Sequence, residues 1–253
     1  SAELSYFVLR AGLHLLQEVK PDLMYLSLTD YVQHKYEPGH PEANEFYKEL
    51  DRFAGEMDAV GAVVALTADH GMNDKCQDDG TPNIVFVQDV LDEEFGPDTS
   101  KVICPITDSF VKHHGALGGL VRVWLKSSSV DIQEVIEFLS GLPGVAMALS
   151  REEACSMFML PEEYESDVVV ISHSDFALGS CEWDHDLSNL KPHRLRTHGG
   201  LSESIVPLLI NAPLQNAVLE DMFCRTVHSF ETFHLAINYT QEDNHGNQIE
   251  KAY

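Results

Sequence analysis

A chain of 253 residues that is 44% hydrophobic and 23% charged has an ordinary soluble composition, enough for one large domain or a domain with an insertion. Sixteen basic residues against 41 acidic ones give a formal net charge of −25, which excludes phosphate-backbone binding, and so nucleic acid, as a function. No run reaches the ~20 apolar residues of a membrane span, and five scattered cysteines without a C-x-x-C pair read as thiols in a reducing cytoplasm.

The N-terminus, "SAELSYFVLRAGLHLL", has the spacing of an amphipathic helix over residues 3–19. "DLMYLSLT" (22–29) reads as a strand, and residues 41–59 as a helix with Phe46, Leu50, Phe53 and Met57 on one face. "AVVALTA" (62–68) is a continuous apolar run typical of a strand buried on both faces. "NIVFVQDVL" (83–91) and "SIVPLLIN" (204–211) are further strands. Strand, helix, strand at this spacing predicts an α/β fold with a mainly parallel sheet flanked by helices. Between them the texture changes. "LVRVWL" (120–125), the helical "DIQEVIEFLSGL" (131–142), "GVAMALS" (144–150) and "DVVVIS" (167–172) predict a smaller α+β insertion, or cap. The expected organisation is core over 1–107, cap over 108–190 and core again over 191–253, with a polar tail from about Gln241.

Ligands of open α/β sheets gather at the carboxyl ends of strands. Asp30 follows the first predicted strand, and His34 lies four residues on, on the same face if the segment turns helically. Asp69 and His70 follow the run 62–68, and Gly71 keeps the space beside them clear. "RTHGGLSE" places His198 just before the last apolar strand. Each has an ordinary reading alone: Asp30 as a helix cap, Asp30–His34 as a surface pair, Asp69-His70-Gly71 as a polar turn, and His198 as one of 13 histidines. His40, His113, His114 and Asp184-His185-Asp186 read as packing or surface residues on the same grounds. Jointly, Asp30, His34, Asp69, His70 and His198 form a carboxylate–imidazole set suited to Zn²⁺ or Mn²⁺. So acidic a chain repels an anionic substrate at long range, so local attraction by a bound cation is the economical arrangement.

"TDYVQHKYEPG", "TADHGMNDK" and "RTHGGLSESIVPLLIN", in that order, resemble the metal-binding segments of the alkaline phosphatase superfamily, in its nucleotide pyrophosphatase/phosphodiesterase-like branch. "CPITDSFVKHHGALGG" and "HDLSNLKPHRLRTHGGLSE" resemble the phosphonoacetate hydrolase group within it. The resemblance runs through nearly the whole chain. It implies two Zn²⁺ ions, or another divalent metal such as Mn²⁺, with Asp30, His34 and His198 on one and Asp69 and His70 in the shell of the other. It further implies a small anionic phosphonate substrate whose carbon–phosphorus bond is hydrolysed to acetate and phosphate, and a cap that recognises the carboxylate, with His113 or His114 as its contact.

The threonine nucleophile, a further metal-binding aspartate and the substrate-binding lysines of that pattern belong to an earlier segment and have no counterpart among residues 1–253. The sequence is therefore expected to be the C-terminal part of a longer enzyme and to be inactive alone, with that N-terminal segment as its partner. Composition leaves oligomerisation open. The competing expectations are a phosphodiesterase or phosphomonoesterase on the same dinuclear site, and a fragment that keeps the fold without chemistry.

Overall fold

The computed structural model describes residues 2–105, 116–190 and 193–240. In chain order the elements are α1 (Ala2–Glu18), α2 (Tyr31–Lys35), α3 (Pro41–Ala59), β1 (Ala65–Thr67), β2 (Asn73–Asp74), β3 (Ile84–Phe86), α4 (Val87–Phe95), β4 (Ser100–Ile103) and β5 (Leu120–Leu125). There follow α5 (Ile132–Ser140), β6 (Val145–Ser150), α6 (Arg151–Phe158), β7 (Val168–Ser172), β8 (Ala177–Gly179), β9 (Arg196–Thr197), β10 (Leu208–Ile210), α7 (Asn216–Phe223) and α8 (Thr232–Asn238). Contacts divide the chain into two units. One comprises residues 1–32, 39–69 and 206–253, and the other residues 33–38 and 70–205.

In the first unit α1 and α3 pack together, as their spacing predicts. His40 caps α3, its Nδ1 accepting from the Glu42 N–H, and Pro41 fills the first turn, where a missing N–H costs nothing. Leu9 of α1 and Phe53 and Met57 of α3 form a buried cluster with Leu13, Leu16, Leu26, Leu28 and Val64. α1 passes so close to residues 22–29 that a Cβ on Gly12 would lie 2.6 Å from Leu26 Cδ1. β1 pairs antiparallel with β10, and Asn211 ties off the pair by accepting from Val64 N (2.7 Å) and donating to the Ala62 carbonyl (2.9 Å).

The second unit is built on a four-stranded sheet in the order β4-β5-β7-β6, antiparallel throughout. β7 is central, and alternation sends its residues to both faces. Val168 and Val170 meet Val121, Val123, Val135 and Leu139 in one cluster, while Val169 and Ile171 meet Ala154 of α6 in another. All five β7 residues are buried, so its valine-rich sequence matches burial on both faces. α5 begins at Asp131, whose carboxylate accepts from the N–H groups of Gln133 (2.8 Å) and Glu134 (3.3 Å). Asp131→Ala should therefore cost about 1 kcal/mol in chemical unfolding, the usual value of an N-cap.

The α/β class holds; among the described residues β3–β8 is a parallel ladder and the other named pairings are antiparallel. A parallel ladder requires a neighbour reached by a crossover. Residues 23–30 form no ladder, so the strand expected at 22–29 is absent there. The run 62–68 is a strand only at Ala65–Thr67, and Val63 is exposed, so the burial on both faces expected there is found at β7 instead. The strand expected over 83–91 ends at Phe86, because Val87 and Leu91 recur at helical spacing and α4 buries both. β4 joins the four-stranded sheet although it lies before residue 108. The cysteines are free thiols, and burial pushes Cys104 and Cys181 up to about 11, which keeps them protonated and inert. No helix among the described residues is long and apolar enough to cross a membrane.

Candidate metal centre

Two of the sequence motifs meet as a short antiparallel ladder in the second unit. β2 follows His70 and β9 precedes His198, with Asn73 opposite Thr197 and Asp74 opposite Arg196. The two histidines flank this ladder, and their rings stack with centroids 3.5 Å apart and planes within 4°. His34 lies on the single turn of α2. Its ring centroid is 5.4 Å from that of His198, and a ring nitrogen of each lies within 4.8 Å of the other's. His34 is buried; His70 and His198 are half-buried.

The orientation of two of these rings is fixed by main-chain carbonyls. His34 Nδ1 lies 2.7 Å from the Arg196 carbonyl oxygen, and His70 Nδ1 lies 2.9 Å from that of Gly71. A carbonyl only accepts, so each Nδ1 donates its N–H, and in a neutral imidazole the lone pair then sits on Nε2. Metal-ligating histidines have this same arrangement, one ring nitrogen donating to an outer acceptor while the other faces the ion. Arg196 reciprocates, its Nε donating to the Gln33 carbonyl at 2.9 Å. By this test the residues present fit a divalent cation.

The His198 loop is held from below by glycine packing. Gly119 N donates to the His198 carbonyl at 2.7 Å. A Cβ on Gly119 would lie 2.3 Å from Gly200 N, and Gly199 has φ +106°, so both positions suit glycine. Thr197 Oγ1, fully buried, donates to the Leu117 carbonyl at 2.7 Å.

Of the residues expected to bind metal, His34, His70 and His198 are brought together within the second unit. Asp30 and Asp69 belong to the first unit. Asp30 immediately precedes α2, one helical turn from His34, and Asp69 is joined to His70 by a peptide bond. His113 and His114 lie outside the described residues. His185 is a packing residue: it is buried, stacks against Phe86, and accepts the Ser180 N–H at Nε2 (2.8 Å).

The expected ligand set did not include a buried ion pair beside the histidines, Lys75 with Glu203. Both side chains are essentially inaccessible, and Lys75 Nζ lies 2.9 Å from Glu203 Oε1. The two residues sit inside "TADHGMNDK" and "RTHGGLSE", so the signal was a charged residue at the end of each motif. Burial pushes the Glu203 carboxyl upward, but hydrogen bonds from Lys75, Ser202 and Asn73 outweigh it and leave it below the usual carboxylate range. A lowered folded-state value adds stability at pH above the unfolded value of ~4.3 and loses it as pH falls through the folded value. Acid should thus reduce unfolding free energy more steeply below pH ~5 in the parent than in Glu203→Gln, as a denaturant series at stepped pH would show.

Comparison with known proteins places this geometry. The profile of "Type I phosphodiesterase / nucleotide pyrophosphatase" matches residues 7–201. The chain belongs to the type I phosphodiesterase/nucleotide pyrophosphatase family. The structure of phosphonoacetate hydrolase from Sinorhizobium meliloti 1021 in complex with phosphonoformate is 46% identical, with a TM-score of 0.84, covering 93% of this chain and 56% of that one. The same enzyme in complex with phosphonoacetate gives the same values. This family member thus spans little more than half the length of those relatives. Murine ectonucleotide pyrophosphatase/phosphodiesterase 5, at 15% identity, TM-score 0.54, and 81% and 52% coverage, shares the fold.

Proposed function

We propose that these residues form the metal-binding part of a phosphonoacetate hydrolase, which cleaves the carbon–phosphorus bond of phosphonoacetate to acetate and phosphate. One observation supports it above the others. His34, His70 and His198 converge with the Nδ1 atoms of His34 and His70 committed to carbonyls, in a chain 46% identical to an enzyme of that name.

On this reading Asp30, His34 and His198 hold one Zn²⁺ ion, and Asp69 and His70 supply part of the shell of a second. Mn²⁺ is the alternative metal. Bound cations would supply positive charge for the phosphoryl oxygens and for a nucleophile. The protein's part is orientation. The Arg196 and Gly71 carbonyls keep the His34 and His70 Nε2 lone pairs directed, and the glycines at 119 and 199 let the His198 loop approach closely. A carbon leaving group is poor unless its charge spreads onto an adjacent carboxylate, so a narrow substrate range follows. The cap, residues 108–190, would recognise that carboxylate. With a net charge of −25, attraction of a small anion is local to the metals. Free thiols throughout are compatible with a cytoplasmic enzyme.

Family membership alone also admits a phosphodiesterase. A zinc-loaded protein containing these 253 residues should release acetate and phosphate from phosphonoacetate and turn over a nitrophenyl phosphodiester far more slowly. Diester turnover without acetate release would overturn the reading in favour of the diesterase.

A further inference from the structure

Lys75 and Glu203 are too deeply buried to serve as an ordinary stabilising pair. Their side chains are 0% and 1% exposed. Removing two charges from water is expensive, and a buried ion pair often gives no more stability than apolar residues of similar volume. What this pair does have is connections to both histidine loops. The Glu203 carboxylate accepts from Gly200 N at 2.8 Å, two residues beyond His198. It also accepts from Asn73 Nδ2 at 2.6 Å and Ser202 Oγ at 2.7 Å. The Glu203 main-chain carbonyl accepts from Gly71 N at 2.6 Å, one residue beyond His70. Gly71 is in turn the residue whose carbonyl orients the His70 ring. Lys75 closes the arrangement, donating to the Ser174 carbonyl at 2.8 Å as well as to Glu203. One residue, neutralised by its partner, is therefore bonded to the segments immediately after His70 and His198.

We propose that Glu203 and Lys75 are positioning residues which hold the His70 and His198 loops at the spacing a divalent cation requires. The inference rests on the metal-binding reading above. A pair that only filled space would be needed for folding and indifferent to metal, whereas a positioning pair sets metal affinity.

Two variants separate these roles. Glu203→Gln keeps the shape and removes the charge, and Lys75→Met/Glu203→Gln removes both charges, so that no uncompensated ion stays buried. Each is stripped of metal, its melting followed by circular dichroism, and then titrated with zinc alone in a calorimeter. We expect zinc affinity to fall ~10–100-fold in both, the range for lost outer-shell partners. The double variant should melt closer to the parent than Glu203→Gln does. Unchanged zinc affinity in either variant would overturn the positioning role. His198→Ala, titrated in parallel, keeps the two readings distinct. If it still binds zinc like the parent, the metal-binding reading itself fails. If it loses zinc while the pair variants do not, only the positioning role fails.

Discussion

Lys75→Ala is expected to lower the free energy of unfolding by about 3–5 kcal/mol, read from a denaturant titration of the metal-free chain. The cause is not the loss of one attraction. Without its ammonium partner, the Glu203 carboxylate stays 1% exposed, holding a charge that water no longer solvates and lysine no longer balances. Domains commonly have only about 5–15 kcal/mol of stability, so a loss of this size should be visible as a large shift of the transition midpoint. Surface pairs give the contrast. On α3, solvent screens Arg52 from Glu49 and Glu56, and removing Arg52 should change stability far less. A similar small cost for both variants would show that the second unit relaxes to admit water around Glu203.

His198→Ala should have its effect on metal, not on folding. The side chain is half-buried and at the meeting point of the other two rings, 3.5 Å from His70 and 5.4 Å from His34 between centroids. The backbone beneath it is held by Gly119 N and by β9, neither of which involves the imidazole. The variant should therefore fold with near-parent stability while losing about one zinc per chain and 10-fold or more in affinity, since even outer-shell changes cost ~10–100-fold. Metal analysis after dialysis, alongside a thermal melt, checks both halves of that expectation.

Much of the fold was legible because periodicity reports local burial. α1 and α3 show their apolar faces at helical spacing, and β5, β6 and β7 are found where alternation or valine content placed them. Residues 22–29 and 62–68 misled for a shared reason. A strand-like composition states that a segment suits an extended, apolar surrounding, whereas a ladder depends on which neighbour is there to bond. β1 finds β10 over only three residues, and 23–30 has no ladder bond. The histidines of the candidate centre were legible because a recognisable motif carries each of them. Glu203 and Lys75 were not, although both lie inside those motifs. Their role comes from contacts 128 residues apart in sequence, and a charged residue gives no sign beforehand of being buried. The Arg196 carbonyl that orients His34, 162 residues away, belongs to the same category, since main-chain groups leave no trace in residue identity.

The central claim is that His34, His70 and His198 together face divalent metal. Crystals of the protein grown or soaked with zinc, measured on both sides of the zinc absorption edge, test it most directly. The account predicts anomalous density at about 2.0–2.1 Å from the His34 Nε2 and from a ring nitrogen of His198, with a further peak at the same distance from the His70 Nε2. Zinc bound only at other surface groups, with these three imidazoles left bare, would contradict it.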